Sequence, residues 1–574
     1  MSGFVLTIGR PDQAPPWLSR LRLEPGAGWA RQALGDDVDV FTQPGPTRCA
    51  VLAGGPDLLL GDVQVDGRHQ PQGLLHPAWD GPKEQALVMT RRAWGDYVHV
   101  RLPKDGRPLS IFRAPSGGLE AVTWLHDGVR LVASTFPDWF EAALPKAMAV
   151  DWRQVAGVLG NPTQHTGEVC LTDLQTISPG GLWVEGALHQ VWTPAAFVER
   201  RRNRVDWAPD LLATVDQVVK PWSHARILLE ISGGLDSAIV GSALAACGGE
   251  ITCGLNYYGG DPQGDERPYA RAVAQRLGVS LTEAPKAPQP LDMAALAVCS
   301  GDFRPALNSF DHIHDDHVAA LCRALDVEVI LTGQGGDNVF FQTPTPWIAA
   351  DHLARASVSE LADLARWQGQ SIWSLYAAAW RARWDRPAPK SRPDVLTEKA
   401  RGLAAQAAPH PWLCDLDQVG PAKRLQIESL ANALIVHGSS RRGAAARLQH
   451  PLLAQPLLEL CLAIPALDLT AGGIDRGLAR RTFAHRIPKE VAQRRTKGRL
   501  SAHYGQIIAQ SLPVLRPMLL EGRLVAEGLV QADRLEEWLS VDHLIWRGGY
   551  GVLVNLIMTE LWVTAWERRL QLPR

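Results

Sequence analysis

Residues 226–246 read RILLEISGGLDSAIVGSALAA, an apolar run that passes through two glycines, two serines and an aspartate into a second apolar run of different period. The first run, ending at Ile231, has the length and composition of a buried strand, and the second, from about Ser237, those of a helix. In a parallel sheet wound with crossover helices, ligands gather at such strand-to-helix turns, along the carboxyl edge. Gly233 and Gly234 permit positive φ and close backbone approach, while the helix amino end offers unpaired N–H groups and a partial positive charge. A phosphate fits that description.

The alternation continues. "EITCGLNYY" and "VEVILTG" are further buried-strand candidates, separated by helical stretches "ERPYARAVAQRLG" and "DDHVAALCRALD", which predicts an α/β domain. Beyond about Pro344 the chain reads as helical, without a strand candidate of comparable strength. Before about Arg200, short alternating runs such as "AVLAGGPDLLLGDVQVDG" and "DYVHVRLPKDGRPLSIFRAP" end in Gly, Pro and Asp, which predicts an antiparallel α+β domain. A chain of 574 residues exceeds what one core usually organises. The basic run from Glu199 to Arg204 marks the expected boundary, giving domains 1–205 and 206–574.

Composition excludes several classes. With 58 Lys+Arg against 60 Asp+Glu, the formal net charge of -2 supplies no field to attract nucleic acid or an anionic membrane. Eight cysteines without a CxxC pair, and no charged-then-apolar leader, point to a reducing cytoplasm with ordinary buried thiols. No window reaches the roughly 18 apolar residues of a membrane helix. The familiar phosphate templates fail too. The Walker spacing from Gly259 to Gly264 runs into Asp265 and Glu266, "GQGGDN" breaks GxGxxG at Asn338, and no GxSxG elbow surrounds Ser232 or Ser237. Without a lysine reaching toward a γ-phosphate, the loop makes better sense cradling pyrophosphate.

"SGGLDS", Ser232 to Ser237, resembles the pyrophosphate loop of ATP pyrophosphatases, and "LTGQGGDNVF" is similar to the second strand end of the asparagine synthetase group. "RLQHPLLAQPLLELCLAIP" and "GIDRGLARRTFAHRIPKEVAQRRTKG" resemble that group's C-terminal helices, and "WGDYVHV", "LVAST" and "ISPGGLWVEG" its glutaminase-like domain. The resemblance implies an N-terminal Ntn-type sandwich, then an ATP-pyrophosphatase domain of the adenine nucleotide alpha hydrolase-like kind with helical additions. One departure is informative: glutamine-hydrolysing members carry cysteine after the initiator Met, and this chain reads Met1-Ser2-Gly3, with no counterpart of their "NGE" segment. The glutaminase is therefore expected to be degenerate. Members with this loss include β-lactam-forming and lasso-peptide macrolactam synthetases, and the C-terminal texture is closest to lasso cyclases.

That resemblance implies a ligase that adenylates a side-chain carboxylate of a leader-free core peptide with ATP and Mg²⁺. The peptide's own N-terminal amine then closes a macrolactam, with a leader protease acting earlier. Asp236 and Asp337 would be catalytic as Mg²⁺ ligands, although either could simply cap a helix. Ser232, Gly233, Gly234, Leu235, Ser237, Gly333 and Gly335 would cradle the phosphates, and Leu229 and Leu255 would neighbour the adenine or belong to the core. Lys497, in "RRTKG", would face developing negative charge, or sit in a solvated basic surface. Asp265 and Glu266 are open between ligand contact and helix-dipole complementation. His312, His314 and His317 read as a capped helix start more readily than as a transition-metal site. The general base is unassigned: Gln334 stands where relatives carry an ionisable or phenolic group, and Glu360 and Glu428 are candidates. The "RWQGQSIWSLYAAAWRARW" aromatics, at helical spacing, are expected to pack between helices. The alternatives are a small-molecule synthetase, forming asparagine from ammonia or a β-lactam, and a non-catalytic scaffold.

Overall fold

Period-two alternation in the first 190 positions forms two antiparallel sheets. The computed structural model describes the chain apart from residues 1–2, 10–13, 44–50, 55, 66–67, 70–80, 105, 199–205, 260–264, 354–355, 383–392, 496–500 and 572–574, with backbone alone at 51–54, 68–69 and 501–502. In the six-stranded sheet, Phe4–Ile8 lies between Val38–Thr42 and Val129–Ala133, with Leu6 opposite both Val40 and Val132. In the seven-stranded sheet, Asp57–Val65 pairs with Trp94–Arg101, placing Leu60 opposite Val98 and Leu58 opposite Val100. All these apolar side chains meet in one buried cluster, so the two sheets stack as a sandwich. The expected boundary at residue 205 falls outside the described residues.

The second region is a five-stranded sheet of β1 (Ile227–Glu230), β2 (Ile251–Tyr258), β3 (Leu281–Pro285), β4 (Val329–Leu331) and β5 (Arg447–Gln449). Every pairing is parallel and the order is β3-β2-β1-β4-β5. Helices α1 (Leu235–Ala246), α2 (Arg267–Leu277) and α3 (His312–Ala324) follow β1, β2 and β3 as crossovers. Sequence periodicity picks out β1, β2 and β4, and the structure adds two edges. "LTEAP" carries a glutamate and a proline, and "RLQ" spans three residues, so neither shows the continuous apolar run of a strand buried on both faces. Beyond Pro344 the named elements are helices apart from this short edge strand β5, so the largely helical reading of that part of the chain stands.

The strand order turns back at β1, whose neighbours are β2 on one side and β4 on the other. Loops leaving the carboxyl ends of β1 and β4 therefore diverge and leave a crevice between them. This topology decides where a ligand can sit.

The remaining helices tie the two regions together. A 22-residue helix, Tyr550–Gln571, closes the chain, and its Trp562 and Trp566 share a buried cluster with Trp124, Phe136 and Phe140 of the first region. Both indole N–H groups donate to the Asp302 carbonyl at 2.9 Å. The Phe136 and Trp566 rings lie 5.2 Å apart, and Asn555 Nδ2 donates to the Val158 carbonyl at 3.0 Å. By contrast, helix Ile372–Ala382 leaves Trp373 81 % and Trp380 56 % exposed, with Tyr376 alongside them. This corrects the expectation of packing between helices for Trp373, Tyr376 and Trp380, since Leu375 and Ala379 take the buried face instead; Trp367 of the same stretch does pack against the core, and Trp384 lies outside the described residues. Cys170, Cys253, Cys322 and Cys461 are buried free thiols as expected, whereas Cys414 is exposed. No helix among the described residues is long and apolar enough to cross a membrane.

Candidate active site

β1 ends at Glu230, and the chain turns through Ile231 to Gly234 before α1 begins at Leu235. Gly233 takes φ 74°, a left-handed conformation, and a Cβ there would lie 2.7 Å from the Glu266 carbonyl oxygen. Hydroxyls brace the turn: Ser232 Oγ and Ser237 Oγ are 3.2 Å apart, Ser237 Oγ accepts from the Ser232 N–H, and Ser232 Oγ accepts from the Gly234 N–H. Gly234 at the N-cap has no side chain with which to cap α1, and Gly234, Asp236 and Ser237 line the crevice, so the amino end of this 12-residue helix faces it.

The loop after β4 presses against this turn. A Cβ on Gly333 would meet the Ser237 nitrogen at 2.4 Å, and one on Gly336 would meet Asp236 Cγ at 2.3 Å. Only glycine permits that approach, which is the physical content of "GQGGD". Its consequence is that Asp236, in the first turn of α1, and Asp337, in helix α4 (Gly336–Val339), come together.

What joins them was not visible in the sequence. Arg476 Nη1 donates to Asp236 Oδ2 at 2.7 Å and to Asp337 Oδ1 at 2.5 Å, while its Nη2 and Nε donate to Asp475 Oδ2 at 2.8 and 3.0 Å. Arg480 Nη2 also donates to Asp475 Oδ2, at 2.8 Å. The Gln342 amide, with its nitrogen turned toward Asp337, donates to both carboxylate oxygens at 3.1 and 3.2 Å. Burial acts to lower the Arg476 pKa, but Asp236, Asp337 and Asp475 outweigh it and hold the guanidinium above its ordinary range. Nothing in the local pattern around Arg476 signals this role, because it comes from a segment 139 residues beyond Asp337.

The crevice opens into a cavity of about 840 Å³. Ser232, Gly234, Asp236, Ser237, Leu255, Gly333, Gly335 and Asp337 form one part of its wall. Another part is ionisable: Glu230, Lys286, Asp311, His314, Asp315 and Arg442. Arg442 Nη1 donates to Glu230 Oε1 at 2.6 Å, and its Nε lies 3.3 Å from Asp315 Oδ1. Burial acts to raise the Glu230 pKa, but Arg442 and His314 overcome it and hold it at about 2. For Asp315 burial prevails over Arg442 and pushes the carboxyl up to about 7. Lys286 pairs with Asp311. This wall is assembled from β1, the residue after β3, the start of α3 and the helix Arg441–Ala445, and single-sequence periodicity does not reveal it.

Other expected residues fall differently. Leu229 and Leu235 lie in the hydrophobic core, Leu229 fully buried, and not in the cavity wall. A strand residue facing the helices of its own crossover is core by geometry. Gln334 lines the cavity, as does Glu266, which pairs with Arg494 at 2.8 Å. Asp265 instead accepts a two-point bond from Arg267. The three histidines diverge: His312 Nε2 accepts from the Asp292 N–H, His314 meets Arg442, and His317 bonds Tyr257. No three His, Cys, Asp or Glu side chains form a metal-type group among the described residues. Glu360 closes a capping box with Ser357, and neither it nor Glu428 is in the cavity wall among the described residues. Lys497 and Ser2 lie outside the described residues.

The donor set fits a hard divalent cation. Two carboxylate oxygens from separate elements converge on a single point, where Arg476 Nη1 now stands as the cation between them.

Fold and site together define a doubly wound α/β domain with a glycine-rich strand-to-helix turn and a carboxylate pair at its switch point. The chain matches the asparagine synthase family over residues 218–564, well over half its length, and belongs to that family. Membership makes it, in general terms, an ATP-dependent amide-forming ligase. No curated protein shows a significant match to the chain.

Proposed function

We propose that this ligase adenylates a side-chain carboxylate of a leader-free peptide and closes a macrolactam with the peptide's N-terminal amine, releasing AMP and pyrophosphate. The observation that carries this reading is the cavity of about 840 Å³, with the anion loop on one wall and a separate ionisable wall beyond it. Ligand pockets run from about 300 to 1,000 Å³, so this one has room for a second reactant beside a nucleotide. The N-terminal sandwich is then a degenerate glutaminase-like domain, and the protein works in the cytoplasm after a leader protease.

In this reaction a carboxylate oxygen attacks the α-phosphorus, the bond to the β-phosphate oxygen breaks, and pyrophosphate leaves. The amine nitrogen then attacks the acyl carbon, a C–N bond forms, the acyl–phosphate C–O bond breaks, and the amine sheds one proton. Ser232, Ser237 and the N–H groups around Gly234 grip the departing pyrophosphate. Asp236 and Asp337 would hold Mg²⁺, which when bound neutralises phosphate charge. Asp315, whose carboxyl burial raises to about 7, in its carboxylate form takes up the amine's proton at the ionisable wall. Lys497 would stabilise charge on the acyl intermediate. Holding both reactants in one folded peptide removes the cost of a bimolecular encounter.

The test offers the purified protein ATP, Mg²⁺ and a candidate core peptide. Loss of one water from the peptide mass together with AMP is expected. Formation of ADP and orthophosphate would refute the proposal.

A further inference from the structure

The carboxylate pair at the switch point already holds a cation. Arg476 Nη1 lies 2.7 Å from Asp236 Oδ2 and 2.5 Å from Asp337 Oδ1, and the side chain is 7 % exposed. Magnesium takes oxygen ligands at about 2.0–2.1 Å, so an ion bridging these two oxygens would need the place of Nη1. Both cations cannot occupy it together. The guanidinium is firmly positioned there. Arg476 adopts φ 53°, a left-handed conformation uncommon outside glycine, and its N–H donates at 3.2 Å to the carbonyl of Phe341, itself at φ 66°. Its far edge is anchored on Asp475, which Arg480 also grips.

We propose that Arg476 is the resident counter-ion of Asp236 and Asp337 and makes divalent-metal binding at this pair conditional on nucleotide. This rests on the reading of those two aspartates as metal ligands. Two carboxylates that both contact one nitrogen, Asp236 largely buried and Asp337 half-buried, repel one another unless a cation lies between them, and Arg476 supplies it within the chain. A polyphosphate entering the adjoining loop brings oxygens that can accept from the same guanidinium. Arg476 then transfers from carboxylate to phosphate, and the vacated point between Asp236 and Asp337 receives the divalent ion. Metal alone lacks the phosphate acceptors that draw Arg476 away, so the free protein resists it.

The test uses Mn²⁺ with the nucleotide-free full chain, reading unbound Mn²⁺ by electron paramagnetic resonance. Arg476→Gln should bind Mn²⁺ at least tenfold more tightly than the wild type, and adding Asp236→Asn to that variant should remove the gain. Equal affinity of wild type and Arg476→Gln overturns the proposal. A gain that survives Asp236→Asn places the ion elsewhere and overturns the metal-ligand reading beneath it. Should Arg476→Gln fail to fold, the wild type alone still decides. Micromolar Mn²⁺ binding to the nucleotide-free protein that Asp236→Asn abolishes would equally sink the idea.

Discussion

Asp315 shows how one buried side chain couples the cavity to pH. Its carboxyl is raised from 3.8 to about 7 by burial, which outweighs the opposing pull of Arg442. The folded state therefore binds more protons here than the unfolded chain between those two values, so this group's contribution to stability falls as pH rises from about 4 to 7. Asp315→Asn cannot ionise and should flatten that slope: its melting temperature relative to wild type is expected to rise from pH 5 to pH 8, by scanning calorimetry at matched ionic strength. The same variant should slow amide formation while leaving ATP–pyrophosphate exchange in place, since adenylation precedes the amine's proton loss. For Asp236 and Asp337 the order is reversed. Asp236→Asn or Asp337→Asn is expected to abolish exchange while circular dichroism stays native, because Arg476 keeps Asp475 and the other aspartate as partners. Full exchange by either variant removes it from the machinery. These two aspartates were legible because each follows a strand in a glycine-rich turn. Asp315 was hidden in a helix start, where an acidic residue is ordinary, and only the tertiary structure shows it in the cavity wall beside Arg442.

At the level of elements, the switch-point loops owe their shape to glycine. Gly233→Ala would place a methyl group 2.7 Å from the Glu266 carbonyl in a left-handed backbone, costing about 1–2 kcal/mol in strain. We expect a lower melting temperature and a raised KM for ATP, measured by pyrophosphate release, with the KM for the carboxylate substrate little changed. A variant indistinguishable from wild type would show that the loop relaxes freely. Turn chemistry of this kind survives in a single sequence because small residues at fixed positions have few other uses. The edge strands did not survive it. Leu281–Pro285 and Arg447–Gln449 are fixed by partners on one side only, so their residues carry no continuous apolar signal. Helical period was also an incomplete guide, since it placed Trp373, Tyr376 and Trp380 on one stripe of their helix without saying which stripe faces the core.

Across the whole molecule, the C-terminal helix binds the antiparallel sandwich to the α/β region through a common core. Trp566 is fully buried against Phe136 and Phe303, so Trp566→Ala is expected to cost roughly 3–5 kcal/mol. Because the core is shared, wild-type unfolding by denaturant should give coincident transitions by far-ultraviolet dichroism and tryptophan fluorescence, and Trp566→Ala should lower both midpoints together. Separate transitions in the wild type would show that the regions fold independently. The sequence by itself determined the strand-to-helix alternation, the glycine turns and the two aspartates within them, because these follow from short-range sterics and from the period of apolar residues. Tertiary structure alone decided that Arg476 lies between those aspartates, that Glu230, Asp315 and Arg442 share one wall, and that distant tryptophans close the core. The reason is physical: contacts between residues more than a hundred positions apart depend on how the sheet orders its strands, and no local pattern encodes that order.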